Sequence, residues 1–169
     1  GRLPEAERSL TLATERSGRD PEPWNNLGAV RLARGDARSA VEAFQRACEL
    51  SPTTARFRSD LGAAQLAAGA PRDAVASFEA AAAAAPDDPV VLGNLGYALS
   101  LSDRPAEALA TLRRAAAMPG RTATIEDNLG LVLLRQGDRA GAQAAFERAV
   151  ALAPNDPRAR AHLASMGER

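Results

Sequence analysis

Small and apolar residues return along the chain at one fixed interval. The step Asn26-Leu27-Gly28 recurs every 34 residues, as Asp60-Leu61-Gly62, Asn94-Leu95-Gly96, Asn128-Leu129-Gly130 and His162-Leu163-Ala164. A constant internal period marks a repeat architecture, so the useful unit is the repeat and not the domain. With the Leu-Gly pair set at places 7 and 8 of a 34-residue unit, other columns appear. Place 20 is Ala40, Ala74, Ala108 and Ala142, place 24 is Phe44, Phe78, Leu112 and Phe146, and place 27 is Ala47, Ala81, Ala115 and Ala149. Small residues at places 8, 20 and 27 let two antiparallel helices approach closely, while Leu and Phe at places 7 and 24 fill the space between them. Each unit is therefore predicted to be a helical hairpin. One hairpin leaves an apolar face in water, so successive hairpins must stack into a solenoid.

Helix signals agree with this period. Asp20-Pro21, Asp88-Pro89 and Asp156-Pro157 each set an N-cap residue before a proline suited to the first turn. Gly35-Asp36 and Gly137-Asp138 join a C-terminal glycine to the acidic cap of the next helix, and Pro71 and Pro105 open second helices. First helices are predicted near 21–34, 55–68, 89–102 and 123–136, and second helices near 37–50, 71–84, 105–118 and 139–152. Thr54-Ala55 and Thr122-Ala123 open the alternate units without a proline.

These columns, with Trp24 at place 4 and Pro52, Pro86 and Pro154 at place 32, resemble the tetratricopeptide repeat. The resemblance implies an all-α, right-handed superhelical solenoid of helix-turn-helix repeats. It divides the chain into repeats at 21–54, 55–88, 89–122 and 123–156. Residues 1–20 read as the second helix of a truncated preceding repeat, with Gly1 falling at place 15. Residues 157–169 read as a capping helix, the opening helix of a fifth unit, with Arg158, Arg160, Glu168 and Arg169 as its polar flank. Repeat 3 departs from the pattern, with Leu112 in the aromatic column and Pro119 one place early before Gly120, so its turn into repeat 4 should differ in shape. The run Ala80 to Ala85 forms helix readily but buries little per residue, making it a candidate weak point.

Composition narrows the function classes. All 21 basic residues are arginine, balanced by 21 acidic ones, and lysine is absent. That excludes a Schiff-base lysine and a lysine-dependent phosphate loop. A net charge of zero argues against electrostatic capture of nucleic acid. No apolar run approaches the ~20 residues of a membrane-spanning helix. The lone Cys48 excludes an internal disulfide and, at place 28, reads as a small core hydrophobe. One His and one Cys cannot furnish the usual metal sets, and no cofactor is expected. His162 reads as a polar spacer at a helix surface, and Arg46, Arg114 and Arg148 at place 26 read as a solvated outer stripe near second-helix ends. Nothing in these residues assembles a catalytic site.

The resemblance assigns the inner surface to places 2, 5, 6, 9, 12 and 13 of the first helices. The expected partner groove comprises Asn25, Asn26, Ala29 and Leu32, then Arg56, Asp60, Ala63 and Leu66, then Asn94, Tyr97 and Leu101, and finally Asp127, Asn128, Leu131 and Leu134. Asn26, Asn94 and Asn128 form either an amide ladder for an extended peptide backbone or a set of inter-repeat hydrogen bonds. Tyr97 beside Gly93 is either a docking spot for a partner or a packing contact with the neighbouring helix. Family members that clamp the acidic C-termini of chaperones use basic and amide residues at places 2, 5, 6 and 9. Here place 5 reads Asn25, Ser59, Gly93 and Asp127, so that clamp is missing.

The expected function is a non-catalytic scaffold holding a helical or extended segment of another protein. Residues 89–140, with the Met118-Pro119-Gly120 turn, are similar to bacterial tetratricopeptide lipoproteins of Flp-type pilus assembly and pilotins. That resemblance implies a bacterial cytoplasmic or periplasmic setting, with a lipid anchor in the parent chain. The alternative is a regulatory or substrate-presenting segment of a larger enzyme such as a glycosyltransferase or kinase. Self-association through the Ala-rich convex side is a third reading.

Overall fold

A computed structural model describes residues 2–167. Gly1, Glu168 and Arg169 lie outside the described residues, and with them part of the expected polar flank of the last helix. The described residues form ten α-helices and no strand. The chain divides into two compact units, residues 1–86 and 87–169.

The first unit contains α1 (Leu3–Arg16), α2 (Pro21–Ala33), α3 (Ala37–Leu50), α4 (Ala55–Ala67) and α5 (Pro71–Ala84). The hairpins α2–α3 and α4–α5 pack internally, α3 packs on α4, and α1 packs on α2. Phe44, from place 24, lies in a core cluster with Ala40, Ala47, Cys48, Phe57, Leu61 and Ala64, against which Trp24 and Leu32 also pack. Burial of a ring such as Phe44 or Phe78 contributes roughly 1.5–3 kcal/mol. The glycine column makes that burial sterically feasible. A Cβ at Gly28 would come within 2.8 Å of the Phe44 ring, so only a glycine lets the ring close on the α2 backbone. The Ala80 to Ala85 run carries α5 without a break to Ala84.

The second unit contains α6 (Pro89–Ser100), α7 (Pro105–Ala117), α8 (Ala123–Arg135), α9 (Arg139–Leu152) and α10 (Pro157–Ser165). Here α6–α7 and α8–α9 are hairpins, α7 packs on α8, and α10 closes against both α9 and α8. Leu112 and Phe146, from place 24, are fully buried. The expected turn difference in repeat 3 is present. Ser51, Ala85 and Ala153 end their helices with φ near −140° and ψ between 71° and 81°. Met118 instead takes φ −84° and ψ 151°, in the repeat whose proline, Pro119, comes one place earlier than Pro52, Pro86 and Pro154.

Helix ends follow the capping chemistry. Asp20, Asp88 and Asp156 each accept a hydrogen bond from the second residue of the helix they open, and Asp36 and Asp138 from the third. The threonines do not behave alike. Thr122 Oγ1 accepts from the Ile125 N–H at 3.4 Å, whereas the Thr54 hydroxyl bonds to Ser51 Oγ and caps nothing. At place 15, Gly35, Gly69 and Gly137 take positive φ, and Asp103 takes the same conformation at φ 57°.

Candidate functional site

Helix geometry decides which first-helix places face a partner and which face the next helix. Place 5 is withdrawn from solvent at Asn25 in the first unit and at Gly93 in the second. In the first, Asn25 is 3% exposed on α2, which touches α4, and its Oδ1 has no hydrogen-bond partner among the described residues. In the second, a Cβ on Gly93 would meet Ile125 Cγ1 of α8 at 2.6 Å. The bare backbone at Gly93 is thus covered by Ile125, while the Tyr97 ring beside it stays 37% exposed.

The other two groove residues that require correction are Asp127 and Asn128. Asp127 is 1% exposed, with Oδ1 2.7 Å from His162 Nδ1 and Oδ2 3.0 Å from Arg158 Nε. Asn128 is 5% exposed. Asp127 is withdrawn from the surface by His162 and Arg158 of α10, which packs on α8. The asparagine column is consequently not a continuous ladder: Asn26 is exposed and Asn94 half-buried, while Asn128 is covered. His162, read as a polar spacer, is instead the partner of a buried carboxylate, and its ring lies 5.4 Å from that of Phe146.

What remains of the expected surface is a separate patch in each unit. In the first, Ala29, Leu32 and Ala33 of α2 and Asp60 and Ala63 of α4 line a pocket of about 330 Å³ floored by Phe44. Alanine on both walls leaves the hollow. Asn26 stands exposed one turn before Ala29, and Leu66 is half-buried one turn after Ala63. Arg56 is exposed, paired with Glu22, with its guanidinium 4.7 Å from the Phe57 ring centre. In the second unit, Val90, Asn94, Tyr97 and Leu101 follow the i, i+4, i+7, i+11 spacing of a single helix stripe. Tyr97 is 37% and Leu101 41% exposed, with Val90 exposed as well. Leu131 and Leu134 of α8 are half-buried, and Arg135 donates to the Ser100 carbonyl.

Sequence reasoning missed Glu126. It occupies place 4, where Trp24 and Leu92 stand in repeats 1 and 3, yet it is 1% exposed. Arg148 Nε donates to Glu126 Oε2 at 2.9 Å, and Arg121 Nε lies 3.4 Å from Oε1. Arg148 is therefore tied to a buried carboxylate instead of belonging to a purely solvated stripe. The available signal was a column that alternates between Trp24 or Leu92 and the charged Arg58 or Glu126. Cys48 is buried as expected, and desolvation pushes its thiol above the ordinary range, so it stays protonated and unreactive. Among the described residues no group of three or more His, Cys, Asp or Glu side chains could hold a metal ion, and no helix is long and apolar enough to cross a membrane.

Three family models, each for the tetratricopeptide repeat, match residues 1–55, 65–119 and 124–156. The chain belongs to the tetratricopeptide repeat family. Among curated proteins none matches its sequence. Its fold is similar to that of PilF of Pseudomonas aeruginosa, at 28% identity and TM-score 0.77 over 88% of this chain and 69% of that one. It is also similar to MamA of Desulfovibrio magneticus RS-1, at 25% identity and TM-score 0.81 over 93% of this chain and 89% of the other. YrrB, a tetratricopeptide protein with an unusual peptide-binding site, shares the fold at 21% identity and TM-score 0.71, over 93% and 81% of the two chains. A tetratricopeptide array is a protein-interaction scaffold, and this chain carries that scaffold.

Proposed function

We propose that the chain is non-catalytic and captures a segment of another protein on the faces of its first helices. The observation that carries this is the stripe on α6. Core-type side chains, Tyr97 and Leu101 with Val90, stand in solvent at helical spacing, although every second helix buries its own apolar column. Exposed apolar side chains grouped on one face mark a binding surface. The surviving groove residues are Asn26, Ala29, Leu32, Arg56, Asp60, Ala63 and Leu66 in the first unit and Asn94, Tyr97, Leu101, Leu131 and Leu134 in the second. Asn25, Asp127 and Asn128 serve the stacking of helices instead.

The likeness to PilF supports a role in bacterial pilus or secretion assembly. The test is capture of the partner by the wild-type chain and by a variant carrying Tyr97→Ala and Leu131→Ala, with helicity followed by circular dichroism. Loss of capture at unchanged helicity is expected. Full capture by the double variant overturns the assignment of the surface.

A further inference from the structure

Resting on that reading, we infer that the pocket of the first unit takes an aliphatic side chain flanked by a basic one, so the captured segment carries a cation beside its apolar anchor. The pocket walls are Ala29, Leu32, Ala33 and Ala63 over Phe44, and the single charged group lining it is Asp60. Asp60 is half-buried, and among the described residues its carboxylate accepts no hydrogen bond and closes no ion pair. The arginines of α2, of its C-cap and of α4 each have a partner elsewhere. Arg56, one turn earlier on α4, pairs with Glu22; Arg58 Nε donates to the Pro52 carbonyl; Arg31 donates to the Ser39 carbonyl and pairs with Glu7; and Arg34 pairs with Glu7.

A half-buried carboxylate left without a partner at the rim of an apolar hollow is an acceptor awaiting a donor. Its attraction for a cation strengthens as an apolar side chain displaces water from the hollow. The sequence singles out the same residue. At place 6 the four repeats read Asn26, Asp60, Asn94 and Asn128, so only the second carries charge. An amide there would accept and donate without preference for charge. The carboxylate selects a lysine or arginine and repels an acidic segment.

The probe is a displayed library of random short peptides, selected in parallel on the wild-type chain and on Asp60→Asn. The wild-type pool is expected to be enriched in Lys or Arg next to Leu, Ile or Met, and the Asp60→Asn pool is not. A synthetic capped peptide from the wild-type pool should bind Asp60→Asn about tenfold more weakly, as loss of a charge-assisted hydrogen bond implies. Ala63→Trp, which fills the hollow from an exposed position, should abolish its binding. A pool without basic enrichment, or a basic peptide that binds Asp60→Asn as tightly as wild type, overturns the inference. If such peptides still lose affinity with Tyr97→Ala, the groove reading survives alone; recovery of no peptide above background overturns both.

Discussion

His162 Nδ1 lies 2.7 Å from Asp127 Oδ1, a contact between α10 and α8 that spans 35 residues of sequence. It places a carboxylate that is 1% exposed within reach of the chain's only histidine, with Arg158 of the same helix on the other oxygen. The last helix is thus fastened by polar contacts as well as by its apolar face. Replacing both His162 and Arg158 by alanine should destabilise the second unit by about 1–3 kcal/mol, because a desolvated carboxylate loses its hydrogen-bond partner and its ion-pair partner. Hydrogen exchange across α10 should speed up before that of α8. Unchanged exchange would mean that apolar packing alone holds the helix.

Glu126 allows a sharper contrast. Its two cation partners, Arg121 and Arg148, are 45% and 46% exposed in their side chains, so removing the carboxylate strands no buried charge. Glu126→Leu, restoring the residue type of Leu92 in the same column, should leave the melting temperature equal or higher. Removing both arginines instead should lower stability by about 1–3 kcal/mol, since the buried carboxylate is left unsatisfied. Thermal melts of the two variants check the order.

Gly28→Ala tests the close approach of paired helices. Alanine in a helix interior gains about 1 kcal/mol of propensity over glycine. The added Cβ would meet three atoms of the Phe44 ring at 2.8 to 2.9 Å, and overpacking of this kind costs about 1–3 kcal/mol. A net loss of stability is expected in denaturant unfolding, and a gain would show that the ring shifts freely.

Asp103 sits at φ 57°, in the left-handed region that the other three repeats assign to glycine. Asp103→Gly should therefore stabilise the chain by up to about 1 kcal/mol, the relief of the side-chain clash being partly offset by backbone entropy. Calorimetry of that variant gives the sign.

Cys48 supplies a chemical reading of burial. Desolvation raises its thiol above the ordinary cysteine range, so at mildly alkaline pH the thiolate fraction in the folded chain is smaller than in the unfolded one. Alkylation by iodoacetamide should be slow in buffer and fast in denaturant. Equal rates would place the thiol at the surface.

The period of 34 revealed the fold in advance, because close helix packing needs small residues at fixed places and turns need proline or glycine between them. That is why α2 through α9 start where the caps and prolines indicate. The site was legible only in part. Ala29, Leu32, Asp60 and Ala63 share a pocket as the columns imply, but a column says nothing about what covers it. Gly93 looked bare until Ile125 filled it, and Asp127 looked like a rim carboxylate until α10 closed over it. Such cover depends on which side chain the following first helix brings, a contact between residues more than 30 positions apart that a column of equivalent places does not show. Glu126 was illegible for a simpler reason: its column also holds the charged Arg58, so a second charge there does not by itself point to burial.

The central claim is that first helices meet the partner while second helices hold the core. Amide chemical shifts of the labelled chain, recorded as a selected peptide is added, test it most directly. Changes are expected at Asn26, Ala29, Asp60 and Ala63 of the first unit, or at Asn94, Tyr97 and Leu101 of the second, with the outer faces of α3, α5, α7 and α9 unmoved. Shifts confined to the outer faces of those second helices, with Ala63 and Tyr97 unchanged, would contradict it.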